Sequence, residues 1–207
     1  MYEPKAIWPA AGGATDDRRA DSRHLAVMHV AILRTWQGEE LCLVRNLSPG
    51  GLQARIWSDL GGGDALATEF KSGQRMRGKV VWREGAHIGI QFSDPIDVEA
   101  ILRDEADRST RFRPRLPRVH VDVPSRVRVG ARSYDVVLRD ISQGGAKVQL
   151  TPSEQFAEGE KRVRLTPFGF LSIDGNLRWR NQEFAGITFN TPLSLALLGS
   201  WIAALRR

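Results

Sequence analysis

"RNLSPGGLQARI", Arg45 to Ile56, and "RDISQGGAKVQL", Arg139 to Leu150, carry one pattern twice. Each has Arg, then Asn or Asp, then Ser two residues on and a Gly-Gly pair, ahead of alternating residues that read as a β-strand. Asn46 falls on Asp140, Ser48 on Ser142 and Gly51 on Gly145, an offset of 94 residues. Working outward, "GKVVWREGAHIGIQF", Gly78 to Phe92, matches "GNLRWRNQEFAGITF", Gly175 to Phe189. Trp82 falls on Trp179, Gly89 on Gly186 and Phe92 on Phe189. The offset there is 97, so the second copy has gained three residues between its turn and its Trp. Upstream, an Arg cluster leads into an apolar-rich segment in both copies, "RRADSRHLAVMHVAIL" and "RFRPRLPRVHVDVPSRV". Three blocks in the same order mark an internal duplication. The expected organisation is a disordered N-terminal segment over 1–15, a first domain over 16–105, a charged linker over 106–112 and a second domain over 113–207.

Both copies read as mostly β. "VHVDVPSRVRV" alternates with period two, as a strand with one buried face does, and "GARSY" after it supplies a turn. "YDVVLRDI", "AKVQL", "VRLTPF", "NLRWR" and "FAGITF" continue as short strands. Their first-copy equivalents are "LAVMHVAIL", "ELCLVRNL", "LQARIW", "GKVVWR" and "HIGIQF", with "GGGD" as a loop. The expected fold is all-β: two tandem six-stranded antiparallel β-barrels, since closure removes exposed sheet edges. A helix is expected after each barrel, with Asp94 and Pro95 opening the first, Thr191 and Pro192 the second. In the second helix Leu195, Leu198, Ile202 and Leu205 share one face, which is expected to cover a barrel end.

The chain has 207 residues, and 30 Lys and Arg against 24 Asp and Glu leave a net charge of +6, which suits an anionic partner. Arg dominates the cations, and its planar fork grips phosphate or a guanine edge bidentately. Cys42 is the single cysteine, which rules out an intramolecular disulfide and fits a reducing cytoplasm. No apolar run reaches the roughly 18 residues of a membrane span, and none is expected.

Enzymatic constellations are scarce. His24, His29, His87 and His120 show no metal-ligand spacing, and no phosphate-binding Gly-rich loop or nucleophile elbow is present. No enzyme activity, metal or cofactor is expected. Binding has more support. Asn46 or Asp140 and Ser48 or Ser142 can fix a turn by bonding nearby backbone, and the paired glycines are expected to permit positive φ and close approach of a ligand. Arg19 and Arg23 lie ahead of the first strand, where they and the Asn/Ser turn can meet on one barrel face around a phosphate and a purine.

At these residues the chain resembles the PilZ family, whose members bind the bacterial second messenger cyclic diguanylate through an RxxxR segment and a [D/N]xSxxG turn. The resemblance implies a six-stranded barrel with a C-terminal helix. It also implies a ligand site in domain 1 at Arg19, Arg23, Asn46, Ser48 and Gly51. The arginines would clamp phosphates and guanine edges while the turn completes the base contacts. Trp82, Gly89 and Phe92 look like the family's closing hairpin. In the second copy Asp140, Ser142 and Gly145 match the turn, but RxxxR spacing falls on Arg111 and Arg115, farther from the strand than usual. Counted back from "VHVDVP", the second Arg is Arg118 and the first falls on Pro114, so a site there would need Arg113 and Arg118 with a one-residue bulge.

The function implied is signal transduction: ligand orders the Arg segment, the arrangement of the domains changes, and a protein partner in a motility, pilus, biofilm or polysaccharide pathway responds. A ligand-independent interaction scaffold is the alternative. Nucleic-acid binding by a basic barrel ranks third and is not expected, because Trp82, Trp179, Phe92 and Phe189 read as core rather than as a stacking platform.

Overall fold

A computed structural model describes residues 25–70, 73–103, 116–150 and 161–206, with side chains from residue 28 onward. The expected segment 1–15 and linker 106–112 lie outside the described residues, as do Arg19, Arg23 and Arg113. The first copy forms β1 (Leu25–Thr35), β2 (Gly38–Ser48), β3 (Gly51–Arg55), β4 (Ala65–Glu69), β5 (Arg75–Glu84) and β6 (His87–Phe92). The second forms β7 (Val119–Val129), β8 (Arg132–Ser142), β9 (Gly145–Leu150), β10 (Arg162–Pro167), β11 (Ile173–Arg180) and β12 (Phe184–Phe189). Each set closes into an antiparallel barrel, in the order β1-β2-β3-β6-β5-β4 and the matching β7-β8-β9-β12-β11-β10. The all-β expectation of two six-stranded barrels holds. Strand β4 is not among the expected strands, because "ALATE" has Thr68 as its only β-branched residue and no aromatic one.

Inward side chains form two cores, one around Leu33, Val44, Leu47 and Ile88, the other around Val127, Leu138, Ile141 and Leu165. Helix α1 (98–103) places Val98 and Ile101 in the first core. Helix α2 (Leu195–Ala204) places Leu198, Trp201 and Ile202 in the second, whereas Leu205 is 39% exposed, so only part of the expected stripe is buried. Both helices start three residues later than expected. The Asp97 carboxylate accepts from Ala100 N–H, and the Ser194 hydroxyl accepts from Leu197 N–H. The preceding residues are used otherwise: Ile96 N–H donates to Pro49 O and Leu193 N–H to Gln143 O, tying the segment after each barrel to its motif turn.

The two barrels share a contact that the duplication does not repeat. Ile32 and Leu41 stand opposite one another on the outer face of β1 and β2, yet they are 5% and 1% exposed because domain 2 covers them. Gly199 of α2 lies against the Trp57 indole, so closely that a Cβ would fall 2.5 Å from Cε3. Glu39 accepts a hydrogen bond from His120 N–H at 2.9 Å. This N–H sits where the β7–β8 register slips between His120 and Val123, a bulge that turns backbone groups outward.

Candidate functional site

Ser48 Oγ–H donates to Gly51 O at 3.0 Å, and Ser142 Oγ–H to Gly145 O at 3.2 Å. Each hydroxyl thus closes its own turn. The turn glycines act differently from the expectation. Gly50, Gly51, Gly144 and Gly145 are not among the positive-φ glycines. Their constraint is steric, because a Cβ on Gly51 would lie 2.3 Å from Ile90 O and one on Gly145 2.5 Å from Ile187 O. The close approach is made by the neighbouring strand, β6 or β12, and the motif glycine is the residue that lets β3 or β9 pair with it.

From each turn a row of outward residues crosses the barrel. In domain 1 the register is Asn46 opposite Gln53, Gln53 opposite Gly89 and Gly89 opposite Trp82. In domain 2 it is Asp140 opposite Lys147, Lys147 opposite Gly186 and Gly186 opposite Trp179. Phe92 and Phe189 are core, as expected, but the two tryptophans are not. Bulges at Val80/Trp82 and Leu177/Trp179 shift them to the outer face, where each indole covers its glycine. A Cβ on Gly89 would meet Trp82 Nε1 at 1.9 Å, and one on Gly186 would meet Trp179 Nε1 at 2.2 Å. Trp179 remains 47% exposed. Gln53, Trp82, Lys147 and Trp179 therefore line the face beside the motif. The repeat alignment places a glycine seven residues after each Trp, but the bulge that turns the indole onto it carries no signal in the sequence.

The two rows differ in chemistry. Asn46 Nδ2–H donates to Gln53 Oε1 at 2.7 Å, a neutral pair, and Arg45 donates to Met28 Sδ at 3.1 Å. In domain 2 the Arg118 guanidinium donates to Asp140 at 2.5 Å, and a Cβ on Gly145 would sit 3.6 Å from the same guanidinium. Arg139, the counterpart of Arg45, is engaged by Asp122 and by Gln149. Its hydrogen bond holds the Asp122 carboxyl below the usual range. Arg118 is the expected Arg that the structure brings to the motif turn. At the 94-residue offset its counterpart is His24, with Arg23 one position earlier, so the two Arg segments differ in phase relative to their strands. Among the described residues no group of three or more His, Cys, Asp or Glu is placed to hold a metal ion.

The chain matches the PilZ domain twice, over residues 17–110 and 107–204. It belongs to the PilZ family. Similar solved structures include the PlzA protein of Borreliella burgdorferi in complex with c-di-GMP, at 12% identity and a TM-score of 0.37 over 88% of this chain and 94% of that one. The Bacillus subtilis inhibitor of motility MotI/DgrA gives 12% identity and a TM-score of 0.36, covering 88% and 98%. YcgR of Escherichia coli in complex with c-di-GMP gives 14% identity and a TM-score of 0.30, covering 87% and 84%. No curated protein matches the sequence. No described helix is long and apolar enough to cross a membrane.

Proposed function

We propose that this PilZ chain is a receptor for cyclic diguanylate, not an enzyme, and that it binds the dinucleotide in domain 1 through Arg19, Arg23, Asn46, Ser48 and Gly51. The observation that carries the reading is the contact between Arg118 and Asp140: in the copy whose strand-proximal Arg is described, that side chain meets the motif turn. By analogy with that contact the Arg segment of domain 1 would reach its own [D/N]xSxxG turn, where two guanidinium groups and an amide could receive phosphate and purine together. Domain 1 presents this turn with a neutral Asn46–Gln53 pair rather than an ion pair that a ligand must break. The same Arg118–Asp140 pair favours a second reading for domain 2 alone, as a self-satisfied interaction module in which Arg113, Arg118, Asp140, Ser142 and Gly145 serve the fold. Binding that orders the Arg segment against barrel 1 would act on a protein partner through the arrangement of the two barrels, which meet at β1, β2 and α2.

Calorimetric titration of the full chain with cyclic diguanylate tests this. Wild type is expected to bind, Arg23→Ala to lose domain 1 binding without a change in melting temperature, and Ser48→Ala to lose on the order of 1 kcal/mol. Unchanged affinity in Arg23→Ala would sink the site assignment, and no heat from wild type would sink the receptor reading.

A further inference from the structure

The face of barrel 1 that domain 2 covers has a rewritten twin on barrel 2. At the 94-residue offset Ile32 and Leu41 become Arg126 and Asp135, again opposite one another but now exposed. Around this pair the outer surface of β8, β7, β10 and β11 carries Arg126, Arg128, Arg162 and Arg164 against Asp135 and Asp174, all exposed, with Arg132 and Lys161 exposed at the strand ends. Arg126 pairs with Asp135, and Arg164 pairs with both carboxylate oxygens of Asp174. Arg128 and Arg162 have no carboxylate partner among the described residues. Arg128 stands directly opposite Arg164 across β7 and β10; Asp174 balances Arg164, which leaves Arg128 and Arg162 as the surplus charge of this face. The surplus is local. The described part of domain 2 has twelve Lys and Arg against five Asp and Glu, whereas that of domain 1 has eight against nine.

We propose that this face of barrel 2 binds the phosphate backbone of a nucleic-acid duplex. The outward residues of β7 and β10 along it are Pro124, Arg126, Arg128, Arg162, Arg164 and Thr166. None of these six is a large apolar anchor of the kind that holds a protein partner; the exposed Phe168 and Leu171 lie beyond the end of β10, in the turn to β11, and the corresponding face of barrel 1 shows what a docking anchor looks like in Ile32 and Leu41. Contact with phosphates needs only guanidinium groups, and it carries no sequence preference. Arginines two residues apart on a strand lie about 6.7 Å apart, and those on neighbouring strands about 4.8 Å apart. That grid is on the scale of successive phosphates along a nucleic-acid strand. Nucleic acid is not expected from the sequence for want of a stacking platform, but stacking serves single strands, whereas a paired backbone is held by charge.

Fluorescence anisotropy of a fluorescein-labelled, mixed-sequence DNA duplex with the full chain over a salt series is the test. Two phosphates met by Arg128 and Arg162, the arginines of this face without a carboxylate partner, predict a slope of log K against log salt of about −1.8. The double variant Arg128→Glu, Arg162→Glu is expected to lose affinity at least about tenfold and to flatten the slope by about 1.8, with its thermal melt unchanged. If that variant melts early, Arg128→Ala with Arg162→Ala is expected to show the same flattening. Duplex binding that neither variant alters, or no binding at low salt, overturns the proposal. So does tighter binding through these two arginines to poly-glutamate, which would point to an acidic protein, or to phosphatidylglycerol vesicles, which would point to a membrane.

Discussion

The second glycine of each motif, Gly51 or Gly145, is held against a backbone carbonyl oxygen of the neighbouring strand. A glycine pair in a turn suggests positive φ, and only the paired strands show that the second glycine faces a carbonyl oxygen. Replacing Gly51 or Gly145 with Ala is therefore expected to cost about 1–3 kcal/mol of overpacking strain, measured by urea unfolding of the full chain. Gly50→Ala, whose Cβ meets nothing within 4 Å, is the control and should change little. A Gly51→Ala variant as stable as wild type would return the glycine to a ligand-contact role. Trp82 and Trp179 depart from the expected core placement for a similar reason. Period-two counting puts Trp82 inside with Val80, and it takes one bulge, invisible in the sequence, to turn the indole onto Gly89.

At the scale of elements, β1 and β7 show how far patterning reaches. "VHVDVPSRVRV" alternates strictly and β7 is buried on alternate residues from end to end. "LAVMHVAIL" does not alternate, because part of β1 is covered on both faces, and such a strand reads as a continuous apolar run. The strand was legible and its second covering was not. The end of α2 adds an electrostatic element to this junction. Glu40 on β2 is 2% exposed, accepts from Ser58 Oγ–H at 2.9 Å, and faces Arg206 and Arg83. Burial raises its carboxyl pKa, and the Ser58 bond and the two arginines oppose the rise without cancelling it. Because the folded value lies above the unfolded one, the stability this group adds is complete below the unfolded Glu value, near pH 4.3, and is lost as pH rises through the folded pKa. Glu40→Gln keeps an acceptor for Ser58 and removes the buried charge. It is expected to raise the melting temperature at neutral pH and leave it unchanged near pH 4. A lower melting temperature at neutral pH would show that the attraction to Arg206 outweighs burial.

The duplication made the whole molecule legible as two barrels, and it also hid how they meet, since matched copies suggest matched surfaces. One side-chain pair breaks the match: Ile32–Leu41 in barrel 1 is Arg126–Asp135 in barrel 2. An apolar pair buried at a junction favours docking through loss of water contact, whereas the charged pair stays solvated and docks no helix. Writing the second pair into the first copy, as Ile32→Arg with Leu41→Asp, should therefore leave both barrels folded and separate them. Each replaced side chain lies on the outer face of β1 or β2, so the core around Leu33 and Val44 keeps its packing. Small-angle scattering is expected to show a larger radius of gyration at unchanged circular dichroism, and thermal unfolding to split into two transitions. A compact variant with one transition would mean that Glu39–His120 and Trp57–Gly199 hold the barrels without the apolar pair. If separation also weakened the proposed cyclic diguanylate binding, the junction would belong to the proposed response and not only to the shape of the molecule.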